Sequence, residues 1–204
     1  MKLGIYGGTF GPVHLGHIRA AQAFMEACAL DRLYILPTAI PPHKAASQAD
    51  TPHHRLQMLK LAFSSPEYAD ERITVSDYEQ TRGGKSYTIL TLEHFAAESD
   101  DITMLCGTDM FLTLERWYRG EDILRTVSIC CLCRDTDPVS AKAITEYAAH
   151  YRSTYGTRVI LPPFVPLTVS STEVRARIAA GQSTDGLLPD AVRHYIDKNG
   201  LYRT

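Results

Sequence analysis

Apolar residues along this chain recur with two alternating periods: short runs suited to strands, and stripes at 3.6-residue spacing suited to helices. Leu3, Ile5 and Tyr6 begin a first strand that stops in glycines. Ile18, Ala21, Met25 and Cys28 then share one helical face and predict a helix from about residue 17 to 29. A second strand is expected over Arg32–Leu36. Residues 37–50 contain Pro37, Pro41 and Pro42 and few large apolar side chains, which reads as a long surface loop able to cover a site. Thr51-Pro52 has the form of an N-cap followed by a first-turn proline, opening a helix whose buried stripe is Leu56, Leu59 and Phe63.

The alternation continues through the rest of the chain. Ile73–Ser76 reads as a third strand, Thr81–Lys85 as a loop, and a helix carrying Ile89, Leu92 and Phe95 should start at Ser86 or Tyr87. A fourth strand, Ile102–Cys106, is halted by Gly107. A short helix through Phe111 and Leu114 leads to Trp117-Tyr118, and Val127–Cys133 is the fifth strand. Asp137-Pro138 caps a helix to about Tyr151, and Val159–Leu161 is the sixth strand. After the proline-rich Pro162–Pro166, Ser170 and Glu173 have capping-box spacing, and a closing helix runs from Pro189 to about Lys198 and ends in Asn199-Gly200. Strands alternating with helices predict an α/β fold with a mainly parallel sheet, one domain over residues 1–204 with a small helical part from about 168.

The segment Gly7-Gly8-Thr9-Phe10-Gly11-Pro12-Val13-His14-Leu15-Gly16-His17 stands where the first strand gives way to the first helix. A strand that ends in glycines and restarts as a helix leaves backbone N–H groups pointing into one space, backed by the positive end of the helix dipole. That arrangement suits an anion. His14 and His17, three residues apart at the helix start, are placed to face the same ligand. Two other phosphate loops fail by spacing. The glycines at 4, 7, 8, 11 and 16 do not make G-x-G-x-x-G, and no acidic residue closes the second strand. Gly83-Gly84-Lys85-Ser86 ends like a P-loop, but Glu79 stands where the first glycine belongs.

Charge and cysteine content narrow the classes. Charged residues make up 22% and the net charge is −2, so no global basic field exists for sequence-independent nucleic-acid binding, and a phosphate ligand must be met locally. There is no signal-peptide pattern and no run of about 18 apolar residues to cross a bilayer, so a cytoplasmic protein without a membrane partner is expected. Cys130, Cys131 and Cys133 crowd one apolar run without the paired C-x-x-C spacing of a zinc knuckle, and read as buried strand thiols.

The loop G-G-T-F-x-P-x-H-x-G-H resembles the signature of the nucleotidyltransferase superfamily whose hallmark is H-x-G-H. Further segments follow in an order similar to the bacterial nicotinate-nucleotide adenylyltransferases: Pro41-Pro42-His43-Lys44, Ser86-Tyr87-Thr88 before an apolar helix, Gly107-Thr108-Asp109, Trp117-Tyr118, and Ser170-Ser171-Thr172 with Arg175. The resemblance implies a Rossmann-like, doubly wound fold. It also implies adenylyl transfer from ATP to nicotinate mononucleotide, giving deamido-NAD and pyrophosphate, with Mg²⁺ carried by the ATP phosphates and no metal site from the protein itself.

On that resemblance His14, His17, Lys44 and Arg175 act on the phosphates. Gly8, Thr9, Phe10, Gly107, Asp109, Ser170, Ser171 and Thr172 bind ATP, with Gly107 and Asp109 at the ribose. Thr88, Trp117 and Tyr118 take the pyridine nucleotide; a tryptophan face suits a cationic pyridinium ring. One position departs from the pattern, since the family loop carries Asp or Asn where this chain has Gly11. Transfer to nicotinamide mononucleotide or phosphopantetheine, and a catalytically silent nucleotide-binding regulator, are the alternatives. The oligomeric state is left open.

Overall fold

The computed structural model describes residues 1–40, 50–133 and 138–203. Six strands make one parallel sheet in the order β3-β2-β1-β4-β5-β6: β1 (Lys2–Gly8), β2 (Arg32–Pro37), β3 (Ile73–Val75), β4 (Asp101–Gly107), β5 (Ser128–Leu132) and β6 (Val159–Ile160). The register runs Leu3 opposite Ile102, Met104 opposite Ile129 and Cys130 opposite Ile160. The order reverses at β1, and open α/β sheets receive ligands beyond the carboxyl ends of the strands at such a reversal.

The helices are α1 (Leu15–Cys28), α2 (Pro52–Ser64), α3 (Tyr78–Arg82), α4 (Thr88–Phe95), α5 (Thr108–Phe111), α6 (Gly120–Thr126), α7 (Pro138–Tyr155), α8 (Ser171–Ala179) and α9 (Asp190–Asn199), with a 3₁₀ turn at Leu114–Arg116. Most follow from the local signals. Thr51 caps α2 by accepting the His54 N–H at 3.3 Å, and Pro52 opens it. Gly200 ends α9 at φ 62°.

Four features differ from the sequence expectation. Thr81 and Arg82 belong to α3 rather than to a loop. α6 was not expected, because seven residues give too few turns for a periodic stripe, although Ile123 and Leu124 are fully buried. α7 extends beyond Tyr151 to Tyr155. At α8 the capping box is only half made: Ser170 accepts the Glu173 N–H at 3.1 Å, but the Glu173 carboxylate turns to Arg177 at 2.9 Å.

The chain divides into two units of interleaved segments. One contains Met1–Tyr6, Gln22–Tyr34 and Tyr87–Pro166; the other contains Gly7–Ala21, Ile35–Ser86 and Leu167–Thr204. In the first, Leu3, Ile5, Phe24, Met104, Ile129 and Tyr151 are all buried, and Tyr151 donates to the Phe111 carbonyl at 2.8 Å. Cys130 and Cys131 are buried strand thiols, as expected, whereas Cys133, expected to be one, lies just past β5 and is half-buried; Cys106 is buried in β4. In the second, α2 packs on α9, with the Tyr195 hydroxyl 2.9 Å from His54 Nδ1. Among the described residues, no helix is long and apolar enough to cross a membrane.

Candidate active site

The second unit contains the H-x-G-H loop. β1 ends at Gly8, whose carbonyl accepts the Thr38 N–H at 2.8 Å. Phe10 follows in the left-handed region at φ 51°, and its buried ring meets the His17 ring edge-on at a centroid distance of 5.0 Å. His14 precedes α1 and is 2% exposed. Its ring stacks on that of His17 at 3.7 Å, and its backbone N–H donates to His17 Nδ1 at 3.2 Å. A ring that accepts at Nδ1 carries its neutral-form proton on Nε2. His17, half-buried, is thus held as an Nε2–H donor.

Gly16 is required by space. A Cβ there would lie 2.9 Å from Val169 Cγ1 and 3.0 Å from His14 Nδ1, so any side chain would push apart the histidine pair and the segment entering α8. Overpacking of this kind costs about 1–3 kcal/mol.

α8 presents a second helix N-terminus to the same loop. Ser171 Oγ donates to the Pro12 carbonyl at 2.9 Å, and the Arg175 guanidinium donates to the Gly11 carbonyl and, at 3.1 Å, to Thr172 Oγ1. These bonds anchor α8 to the loop, so two helix starts, two imidazoles and a guanidinium are gathered in one unit. Ser170 serves as the cap. Thr9 is exposed, and its carbonyl is held from behind. Lys44 and the rest of Pro41-Pro42-His43-Lys44 lie outside the described residues.

Arg55 provides that backing, and sequence reasoning did not find it. The guanidinium is buried on α2 and donates to the carbonyls of Thr9 at 2.9 Å, Thr38 at 2.6 Å and Ala39 at 3.3 Å. Removing it would strand three carbonyls, at about 1–3 kcal/mol for each that stays dry. A signal existed: Arg55 occupies the buried stripe of α2, three and four residues before Met58 and Leu59, where a charge has no reason to be unless it is paired.

The first unit holds the other candidates. Gly107 is the last residue of β4 and Asp109, exposed, lies in the first turn of α5. Thr88 opens α4, and the preceding Tyr87 ring meets the Tyr118 ring at a tilt, with centroids 4.5 Å apart, which brings the Trp117-Tyr118 turn to the helix start. Arg119 fastens that turn to α4 through Glu93 at 2.7 Å, and Gly120 packs so closely under the Leu114 carbonyl that a Cβ would collide with it. The Trp117 indole N–H reaches Thr113 Oγ1 at 3.4 Å, while Tyr118 is 55% exposed.

A parallel sheet whose first strand runs into a loop of N–H donors and imidazoles is the architecture of a nucleotidyltransferase, and the chain belongs to the cytidylyltransferase-like family, which it matches over residues 5–177. Within that class its relatives are nicotinate-nucleotide adenylyltransferases. It is 41% identical over 214 residues to a probable enzyme of that name from Pseudomonas paraeruginosa, covering 99% of this chain and 97% of the relative. One from Bordetella petrii is 35% identical over 204 residues, covering 99% of each. The solved Plasmodium falciparum nicotinic acid mononucleotide adenylyltransferase complexed with NaAD has the same fold, with a TM-score of 0.73 at 17% identity over 98% of this chain and 97% of that one.

Proposed function

We infer that the chain transfers the adenylyl group of ATP to nicotinate mononucleotide, giving deamido-NAD and pyrophosphate. The observation that carries this reading is the loop of the second unit, where His14 and His17 stack at the start of α1 and Ser171 and Arg175 anchor the start of α8 to the same backbone.

The chemistry asks little of a base. A phosphomonoester has its second pKa near about 6, so the attacking phosphate is already largely ionised at neutral pH. What remains is to align two mutually repelling anions and to stabilise the charge that grows on the α-phosphate and the departing pyrophosphate. His17, its Nδ1 occupied, donates from Nε2 to the phosphates, and His14 holds it in place and shares the contact. Arg175 and the N–H groups of the first turn of α8 take the β- and γ-phosphates, with Ser171 and Thr172 fixing that turn against the loop. Lys44 is assigned to the reacting phosphates by resemblance alone. Gly8, Thr9, Phe10, Gly107 and Asp109 are assigned to adenosine, and Thr88, Trp117 and Tyr118 to the pyridine nucleotide. The contacting Tyr87 and Tyr118 rings beside the N-terminus of α4 support that last assignment, since N–H donors suit a nicotinate carboxylate and aromatic faces suit its cationic ring.

Mg²⁺ would come carried by the ATP phosphates, whose charge it would neutralise. The loop offers N–H groups, imidazoles and a guanidinium, which suit a polyphosphate. Among the described residues no group of three His, Cys, Asp or Glu side chains could hold a metal ion by itself.

Pyrophosphate release from ATP and Mg²⁺ tests the reading, with nicotinate mononucleotide, nicotinamide mononucleotide and phosphopantetheine supplied in parallel. Clear preference for the first is expected. Preference for another acceptor would overturn the pyridine assignment, and silence with all three would overturn the reaction.

A further inference from the structure

Gly11 is the point at which the loop departs from its family's pattern, and the space beside its α-carbon is filled. A Cβ at this position would collide with Asp50 Oδ2 and lie 3.4 Å from Arg55 Cδ. The carboxylate arrives from the residue just before the α2 cap, is 7% exposed, and accepts the Tyr202 hydroxyl at 2.8 Å. Tyr202 is itself buried, at φ 63° in the left-handed region after α9.

Two cations adjoin this group. Arg55 clamps the Thr9, Thr38 and Ala39 carbonyls, and burial lowers the proton affinity of its guanidinium while Asp50, Tyr202 and Glu79 offset part of that fall. Arg175 holds the Gly11 carbonyl. Gly11 is therefore gripped at its carbonyl by one guanidinium and backed at its α-carbon by a carboxylate that compensates the other. A buried Arg without such a partner is costly.

We propose that Asp50 is the positioning carboxylate of the phosphate loop, supplying from the far side of the backbone the acidic group that position 11 lacks and setting the placement of Gly11, Arg55 and Arg175 for ATP. The absence of a side chain at Gly11 is then a condition for activity and not a sign of its loss. Asp50 touches no reacting atom in this scheme; it acts through the loop. The proposal rests on the adenylyl-transfer reading, and its consequence is that the carboxylate can be moved from one position to the other.

The test is a set of four variants, Asp50→Asn, Asp50→Ala, Gly11→Asp and Gly11→Asp/Asp50→Ala, scored by kcat, by KM for ATP, by MgATP dissociation constant and by thermal unfolding. Misplacement of a positioned group by about 1 Å costs about a hundredfold. Asp50→Asn, which keeps the shape and the hydroxyl contact, should fold and lose about tenfold or more in kcat, with KM for nicotinate mononucleotide unchanged. Gly11→Asp alone, with two carboxylates in one space, should lose both activity and stability. The double variant should regain at least tenfold of what Asp50→Ala loses. Wild-type kcat in Asp50→Asn, or a double variant no better than Asp50→Ala, would overturn the proposal. Should the wild type release no pyrophosphate with any acceptor, the functional reading fails, and the same rescue scored by MgATP affinity still decides the pairing.

Discussion

His17 has the geometry that its proposed role as a phosphate donor requires, because one of its nitrogens is already occupied. The His14 N–H fixes the tautomer, the His14 ring fixes the plane, and Gly16 leaves room for both. His17→Ala removes a donor to charge that develops during transfer, so kcat should fall about 10²–10³-fold. KM for ATP should change far less, and because the ring is half-buried the unfolding midpoint should move by only a few degrees. Steady-state kinetics beside thermal unfolding separate the two effects; a large loss of stability with unchanged kcat would contradict the role. The histidines were legible because G-x-x-H-x-G-H is local. Asp50 was not, because only folding brings Tyr202 to it, and Arg55 showed only as a charge in the α2 stripe, its carbonyl partners lying well apart along the chain.

At the scale of elements, the turn between the 3₁₀ helix and α6 presents Tyr118 to the start of α4. Its shape depends on Gly120 under the Leu114 carbonyl and on Arg119 reaching Glu93. Tyr118→Ala deletes an exposed ring and should leave stability nearly unchanged, while KM for nicotinate mononucleotide rises about tenfold and KM for ATP does not. Equal rises for both substrates would place Tyr118 outside the pyridine site. Trp117-Tyr118 was visible as an aromatic pair, but α6 behind it was not, since its burial depends on tertiary neighbours and its length carries too little periodicity.

The stability of the whole molecule should follow its carboxylates. Tyr155, donating at 2.6 Å, and then His150 hold the Glu115 carboxyl below its ordinary range, while the Tyr155 phenol is pushed up to about 12. Arg72 lowers Asp70 in the same way. A carboxyl depressed in the folded state stabilises it above the unfolded value, near about 4, and the contribution is lost as pH falls through the folded value. The unfolding midpoint should therefore drop from about pH 5 downward. Glu115→Gln should flatten the drop while lowering stability at neutral pH. An acid limb with the same slope in the variant would show that Glu115 does not contribute.

By itself the sequence determined the α/β alternation, the glycine-rich loop between β1 and α1, the caps of α2, α8 and α9 and the identity of the histidine pair. Each depends on residues within a few positions of one another, where periodicity and hydrogen-bond chemistry act directly. Tertiary structure alone decided the reversal of strand order at β1, the fastening of α8 to Pro12 and Gly11, and the carboxylate behind Gly11. These join residues whose approach is set by burial of apolar surface across the fold, and burial is a property of the packed chain, not of any segment within it.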